Sequence, residues 1–401
     1  MNPDLLAEQS LYRMTPWESA VGYLHGLVPA QPFAGTATSP RGALETAALA
    51  ALTRPPCVVS FSGGRDSSAV LALVVDVARR HGLAEPIAVT STFPQGTTGY
   101  EGDWQELVIR HLGVKEWIRL AGAESKDALG PEAQAGLLRC GAVWPPMAHD
   151  KGPLYEVARG GSLLTGEGGD EILGNQRITP VVGTYRRRLR PTPRVVRAVS
   201  LALAPVPVRR MVLRRDHHHG QTWLREAAAR ANSYLAVAVE AAQPLVWSDG
   251  VRQVLRRRSS VIGLGTLAHL AAHHDVVLHH PLRDRGFVAS FAAAGGRYGY
   301  LGRSEAMRVL VGDLLPPQIL SRASKAYFNS SVFGPGARTW ARSWDGKGVP
   351  EALVDAEALR AEWLSDLPHA GSLALLHSTW LQAHESATGT RCASYPDGPT
   401  K

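Results

Sequence analysis

The sequence has three cysteines, Cys57, Cys140 and Cys392, in 401 residues. So few exclude a disulfide scaffold and a four-cysteine zinc site, and a reducing cytoplasm is the simplest compartment. No run of 18 consecutive apolar residues occurs, so nothing is expected to span a membrane. The opening residues, MNPDLLAEQSLYR, carry acids and no apolar core, so they are not expected to be a secretory signal. Lysine is scarce, with six against 37 arginines. Coding bias is the plain explanation, and against that background a lysine inside a motif stands out. Acidic residues are missing from 186 to 215, which hold ten arginines. With a net charge of +8, the remainder is left about two charges negative, so the chain is not a uniformly basic nucleic-acid coat. What is present, 45% hydrophobic and 19% charged residues, fits a globular protein. The length exceeds one ordinary core and predicts two packed lobes, or one large domain with a helical annex.

The pattern divides the chain into a lead-in (1–45), an α/β core (46–185), a basic segment (186–219), a helical lobe (220–392) and a disordered tail (393–401). Pro29, Pro32 and Pro40 interrupt the lead-in, and an alanine-rich helix follows over about 41–53. A short apolar, β-branched run bounded by Pro56 and a Gly pair predicts a buried strand over 57–61, and 86–93, 116–120 and 162–165 read as further strands. Helical stripes fall between them over 67–81, 103–112, 132–139 and 151–159. Strands alternating with helices imply a parallel, doubly wound sheet with helices on both faces. Beyond about 185 strand-like alternation disappears and the chain reads as mostly helical. The arginine segment reads as a solvated loop with helical portions. His217, His218 and His219 are adjacent and lack a carboxylate at ligand spacing, so they read as a surface loop rather than a metal site.

Two segments carry chemistry. Ser62-Gly63-Gly64-Arg65-Asp66-Ser67-Ser68 lies between a predicted strand and a predicted helix. There the glycines let backbone approach a ligand, and the helix N-terminus adds N–H donors for an anion. Asp66 would repel bare phosphate, so its presence calls for a cation between them and points to phosphate plus Mg²⁺. No Lys follows the second glycine, so this is not a Walker loop. The plain alternative is a capped glycine turn. The second segment, Thr165-Gly166-Glu167-Gly168-Gly169-Asp170-Glu171, follows the fourth strand. Ligands of open α/β sheets gather at that edge, so Asp66 and Asp170 could share a metal. The alternative is an exposed acidic turn.

SGGRDSS together with TGEGGDE resembles the synthetase domain of the asparagine synthetase family. That family belongs to the PP-loop ATP pyrophosphatases and includes β-lactam synthetases and lasso-peptide cyclases. The resemblance runs from about 40 to 335. A third block stands in order at His280-Pro281-Leu282-Arg283-Asp284 and Ser324-Lys325-Ala326-Tyr327-Phe328. Arg283 departs from the family's apolar residue, which puts the shape of that loop in doubt. The resemblance implies a PP-loop sheet with a helical C-terminal lobe, ATP and Mg²⁺ as cofactors, and two-step amide synthesis through an acyl-adenylate. It places pyrophosphate on Ser62, Gly63, Gly64, Ser67 and Ser68, and metal on Asp66 and Asp170. Adenine falls against the backbone of Ser60, Phe61 and Val89, with Thr165 and Gly166 beside the nucleotide. Glu167 aligns with a catalytic carboxylate and Lys325 with a charge-stabilising lysine.

The family's full-length synthetases begin with a glutaminase domain whose cysteine follows Met1; here Asn2 does. The amine is therefore expected to be ammonia, a substrate amine or one delivered by a partner, and the acyl donor a small-molecule or peptide carboxylate. Two other readings compete with this one. A PP-loop RNA-modifying enzyme would use the arginine segment for tRNA, but the cysteines are isolated and TGEGGDE favours the amide branch, so nucleic acid is disfavoured. A degenerate nucleotide-binding subunit of a biosynthetic complex is the non-enzymatic alternative. Docking of an acidic peptide or protein partner is a further role for 186–215.

Overall fold

A computed structural model describes residues 11–32, 39–122, 126–188, 190–216, 220–322 and 329–388. The histidine triplet, the Lys325 loop and the 393–401 tail lie outside them. Five parallel strands form one sheet, β1 (Cys57–Ser60), β2 (Ile87–Thr92), β3 (Trp117–Ala121), β4 (Ser162–Leu164) and β5 (Val277–His279), in the order β3-β2-β1-β4-β5. Central β1 pairs Val58 with Ile87 on one side and Leu163 on the other. Such a strand is covered on both faces, which is why Cys57, Val58 and Val59 follow one another without alternation.

The α/β, parallel, doubly wound reading is correct. The helix Arg65–Arg80 covers one face and buries Val70, Leu71, Val74 and Val77 together with Leu44 and Ala48 of the helix Pro40–Leu52. Phe287 and Phe291 of the helix Arg285–Gly295 join the same core. On the other face Val58, Val89 and Leu163 pack on Tyr155, Ala158, Ala271 and Val276. Parts of the C-terminal half thus sit directly on the sheet.

One strand escaped the sequence reading. β5, Val-Leu-His, lies in the stretch read as helical. Three residues, the last itself a histidine, are too few to show a period, and only pairing with β4 (Leu163 opposite Leu278) makes them a strand.

A second core joins the two ends of the described chain. The helix Pro16–Val21, entered through a Thr15–Glu18 capping box, packs its Val21 in a cluster with Trp223, Trp344, Trp363 and Leu376. The arginine segment is more ordered than a loop. It forms the helices Pro193–Leu203 and Val206–Asp216, and the second packs on Glu226–Ala241. Arg209 is buried there, donating to the carbonyls of Leu201 (2.6 Å), Glu240 (3.1 Å) and Ala241 (3.1 Å). Arg194, Arg197, Arg214 and Arg215 remain exposed. Among the described residues, no helix is long and apolar enough to cross a membrane.

Candidate active site

The strand order reverses direction between β1 and β4, and both glycine loops leave the sheet there. This is the crevice at the carboxyl edge where open α/β sheets bind ligands. After β1 the chain turns through Gly63, at φ +84°, into the helix Arg65–Arg80. The N-cap is Gly64 and no side chain caps it, so the first-turn N–H groups keep their polarity for a ligand. The hydroxyls of the loop are knitted together. Ser67 Oγ lies 3.0 Å from Ser62 Oγ and accepts from Ser62 N (3.1 Å), while Gly64 N donates to Ser62 Oγ (3.3 Å). Ser68 Oγ is buried with no hydrogen-bond partner among the described residues.

The two loops interlock through their glycines. A Cβ on Gly166 would come within 2.6 Å of Ser67 N, and one on Gly169 within 2.1 Å of Asp66 Cγ. Only glycine lets the second loop lie this close to the first. As a result Asp66 and Asp170 converge on one cation, the guanidinium of Arg303, which donates to both carboxylates. Burial pushes the Asp66 carboxyl above its usual range, and Arg303 pulls it back down. Asp66 Oδ1 is buried and makes no hydrogen bond among the described residues. Two hard oxygen donors from facing loops, one with an unmet oxygen, fit a divalent cation such as Mg²⁺. No group of three or more such side chains occurs among the described residues, so water and phosphate oxygens would complete its shell.

Other sequence-named residues fall around this crevice. Ser60 lies opposite Val89, and Phe61 N donates to Val89 O (2.8 Å), so the three positions assigned to adenine are neighbours. Thr165 Oγ1 contacts His280 Nδ1 (2.7 Å) and accepts from Glu167 N (3.2 Å). His280 is pushed down to about 3 by burial, so it is a neutral support for Thr165. The Glu167 residue is exposed. Lys325 lies outside the described residues. The doubtful Arg283 is buried, and its Nη1 donates to Glu171 Oε2 (2.5 Å) while its stem fills the space beside Gly168. Arg283 is thus matched by the last acid of the second loop. Asp284 accepts from Phe287 N (2.9 Å) and caps the helix that follows.

Several residues were missed by the sequence. Arg322 is buried, pairs with Glu101, and donates to Gly63 O (2.9 Å). Gln105 Nε2 donates to Ser62 O (3.1 Å). Together they hold the carbonyls of the first loop from behind. Beside the second loop, Asp150 is buried between Lys126 Nζ (2.5 Å) and Lys151 Nζ (3.2 Å). Asp150 and then Glu167 hold the Lys151 ammonium above its ordinary value, while burial lowers Lys126 to about 8. The family model for asparagine synthase matches residues 41–384. No curated protein matches the chain.

Proposed function

The chain belongs to the asparagine synthase family, whose members are ATP-dependent, amide-forming ligases, and within it we propose that this protein condenses a carboxylate with an amine through an acyl-adenylate. The observation that carries this reading is the meeting of Asp66 and Asp170, from two separate glycine loops, around one cation at the uncapped start of a helix. A ligase that works through an acyl-adenylate can use that arrangement, because it cleaves ATP between the α- and β-phosphates. A carboxylate oxygen attacks the α-phosphorus, the bond to pyrophosphate breaks, and the acyl-adenylate forms. The amine nitrogen then attacks the acyl carbon, AMP departs, and the nitrogen gives up a proton.

The residues divide these tasks. The N–H groups at the start of the helix Arg65–Arg80, with Ser62, Ser67 and Ser68, would cradle the pyrophosphate. Asp66 and Asp170 would hold Mg²⁺, which when bound neutralises the polyphosphate. Glu167, exposed at the same edge, would orient the amine or take its proton. Lys325 would stabilise charge at the α-phosphate and the acyl carbon. Cys57 is pushed up to about 12 by burial and Cys140 is also raised, so neither is a poised thiolate. That favours amide synthesis over cysteine-dependent RNA modification. Exposed arginines beside exposed Val196, Leu203 and Met211 would suit an acidic peptide substrate or partner.

The test is a panel of carboxylic acids in ATP–pyrophosphate exchange. One or more acids should stimulate exchange without any amine. No exchange with any acid, despite measurable ATP binding, would favour a degenerate nucleotide-binding subunit. The amine source is tested by incubation with glutamine and ATP: the chain should release no glutamate.

A further inference from the structure

The carboxylate pair assigned to the metal already holds a cation, and that cation belongs to the chain. Arg303 is the first residue of the helix Arg303–Val311. Its Nη1 donates to Asp170 and its Nη2 to Asp66. The guanidinium is largely buried, with 16% of the side chain exposed, and so is Asp66 at 15%, whereas Asp170 is half open to solvent. The bridge leaves buried atoms unmet on both sides. Asp66 Oδ1 and Arg303 Nε make no hydrogen bond among the described residues. Each atom left unmet is costly, so the bridge is weaker than its charges alone would make it. A second guanidinium, Arg65, stands close enough to feel Arg303, Asp66 and Asp170, and its Nη1 reaches Ser304 Oγ (3.4 Å). The two guanidiniums balance the two carboxylates, so the crevice turns cationic once a metal ion takes the carboxylates, which fits a site built to receive a polyanion.

We propose that Arg303 is a polyphosphate-binding residue that occupies the metal site only while nucleotide is absent. A divalent cation and a guanidinium cannot both lie between Asp66 and Asp170, since they compete for the same oxygens and repel each other. Once Mg²⁺ takes the carboxylates, the released guanidinium remains at the crevice on a long stem. A planar fork of N–H donors is suited to two phosphate oxygens at once. The uncapped N-terminus of its own helix adds favourable polarity. Metal alone must then displace Arg303 with nothing to receive it, whereas metal with nucleotide gives every charge a partner. The two ligands bind cooperatively, and Arg303 carries the coupling. This inference rests on the nucleotide and metal reading given above.

The experiment titrates the full chain with Mn²⁺, following free ion by electron paramagnetic resonance, with and without a non-hydrolysable α,β-methylene analogue of ATP. Arg303→Met should bind Mn²⁺ alone about tenfold more tightly than wild type, a coupling of ordinary size. Its affinity for the analogue at saturating Mn²⁺ should fall by a similar factor. Arg303→Lys keeps the charge but cannot bridge two carboxylates as a fork does. It should also tighten Mn²⁺ binding, by less, and it provides the test if the methionine variant does not fold. Unchanged Mn²⁺ affinity in the folded variants would make Arg303 a static bridge and overturn the proposal. If wild type binds the analogue but no protein binds Mn²⁺, even with the analogue present, the metal assignment itself falls and takes this inference with it. If Mn²⁺ binds with the analogue and its coupling is indifferent to Arg303, only this inference fails.

Discussion

Replacing Arg322 with Met should destabilise the protein through one buried pair and should loosen the first glycine loop. The side chains of Arg322 and Glu101 are 3% and 8% exposed. The guanidinium also donates to Gly63 O at 2.9 Å and lies over the Trp104 ring, 4.7 Å from its centre. Methionine fills much of the same volume, so the loss is mainly electrostatic. Stripping one partner from a buried ion pair costs about 3–5 kcal/mol, because the other charge is left uncompensated. Loss of the donor to Gly63 O adds about 1–3 kcal/mol. Against the ~5–15 kcal/mol that holds an ordinary domain together, that is a large fraction. Urea unfolding should show a lowered midpoint with an unchanged slope. The reasoning makes a sharper claim about the double variant. Arg322→Met with Glu101→Gln removes the stranded charge, so it should recover about 2 kcal/mol relative to Arg322→Met alone. An Arg322→Met protein within about 1 kcal/mol of wild type would refute the argument. So would a double variant no more stable than the single one.

Gly169→Ala would place a methyl 2.1 Å from Asp66 Cγ, so it should abolish ATP–pyrophosphate exchange and, by overpacking, cost about 1–3 kcal/mol in urea unfolding; wild-type exchange would contradict it. Glu167→Gln should slow amide formation more than exchange, whereas equal losses would put it in the first step. Lys325→Met should keep ATP binding within several-fold and lower amide formation by about 10²-fold, the size of one lost preorganised charge; near-normal turnover would remove Lys325 from the site. His149 and His377 are pushed down by burial to about 4 and about 3, with their Nε2 atoms 3.0 and 2.9 Å from the carbonyls of Gly141 and Ala128. Below the ordinary histidine value the unfolded chain binds protons that the folded one refuses. Their contribution is therefore present above about pH 6.5 and is lost as pH falls toward 4. His377→Gln should reduce the slope of unfolding free energy against pH in that window by about one proton, or ~1.4 kcal/mol per pH unit; an unchanged slope would contradict it.

Parts of this site could be read directly from the residues. Of the four strands found by sequence, β1 and β4 are short, mostly apolar runs fenced by Pro and Gly, whereas β2 and β3 mix apolar with polar residues. The two glycine loops stand out because acids rarely sit among glycines next to a strand without a ligand to hold. The strand β5 was hidden because three residues carry no period. Arg303, Arg322, Glu101 and Gln105 were hidden for a different reason. Arg303 is 237 positions from Asp66, and Arg322 is 221 from Glu101. In a chain with 37 arginines nothing local marks Arg303 and Arg322. Their partners are chosen by how the helices beyond β5 pack back on the sheet. Arg283 shows the same limit from the other side. It departs from the family's apolar residue, and only its contact with Glu171 explains how the loop accommodates it.

The central claim is that two glycine loops jointly cleave ATP at the α-phosphate for a carboxylate. It is tested most directly by identifying the nucleotide products formed with a stimulating acid and an amine. Wild type should yield AMP and pyrophosphate in equal amounts with the amide. Asp66→Asn and Asp170→Asn should each yield none while keeping a melting temperature close to wild type. ADP and phosphate as products, or wild-type AMP formation by either variant at saturating Mg²⁺, would contradict the account.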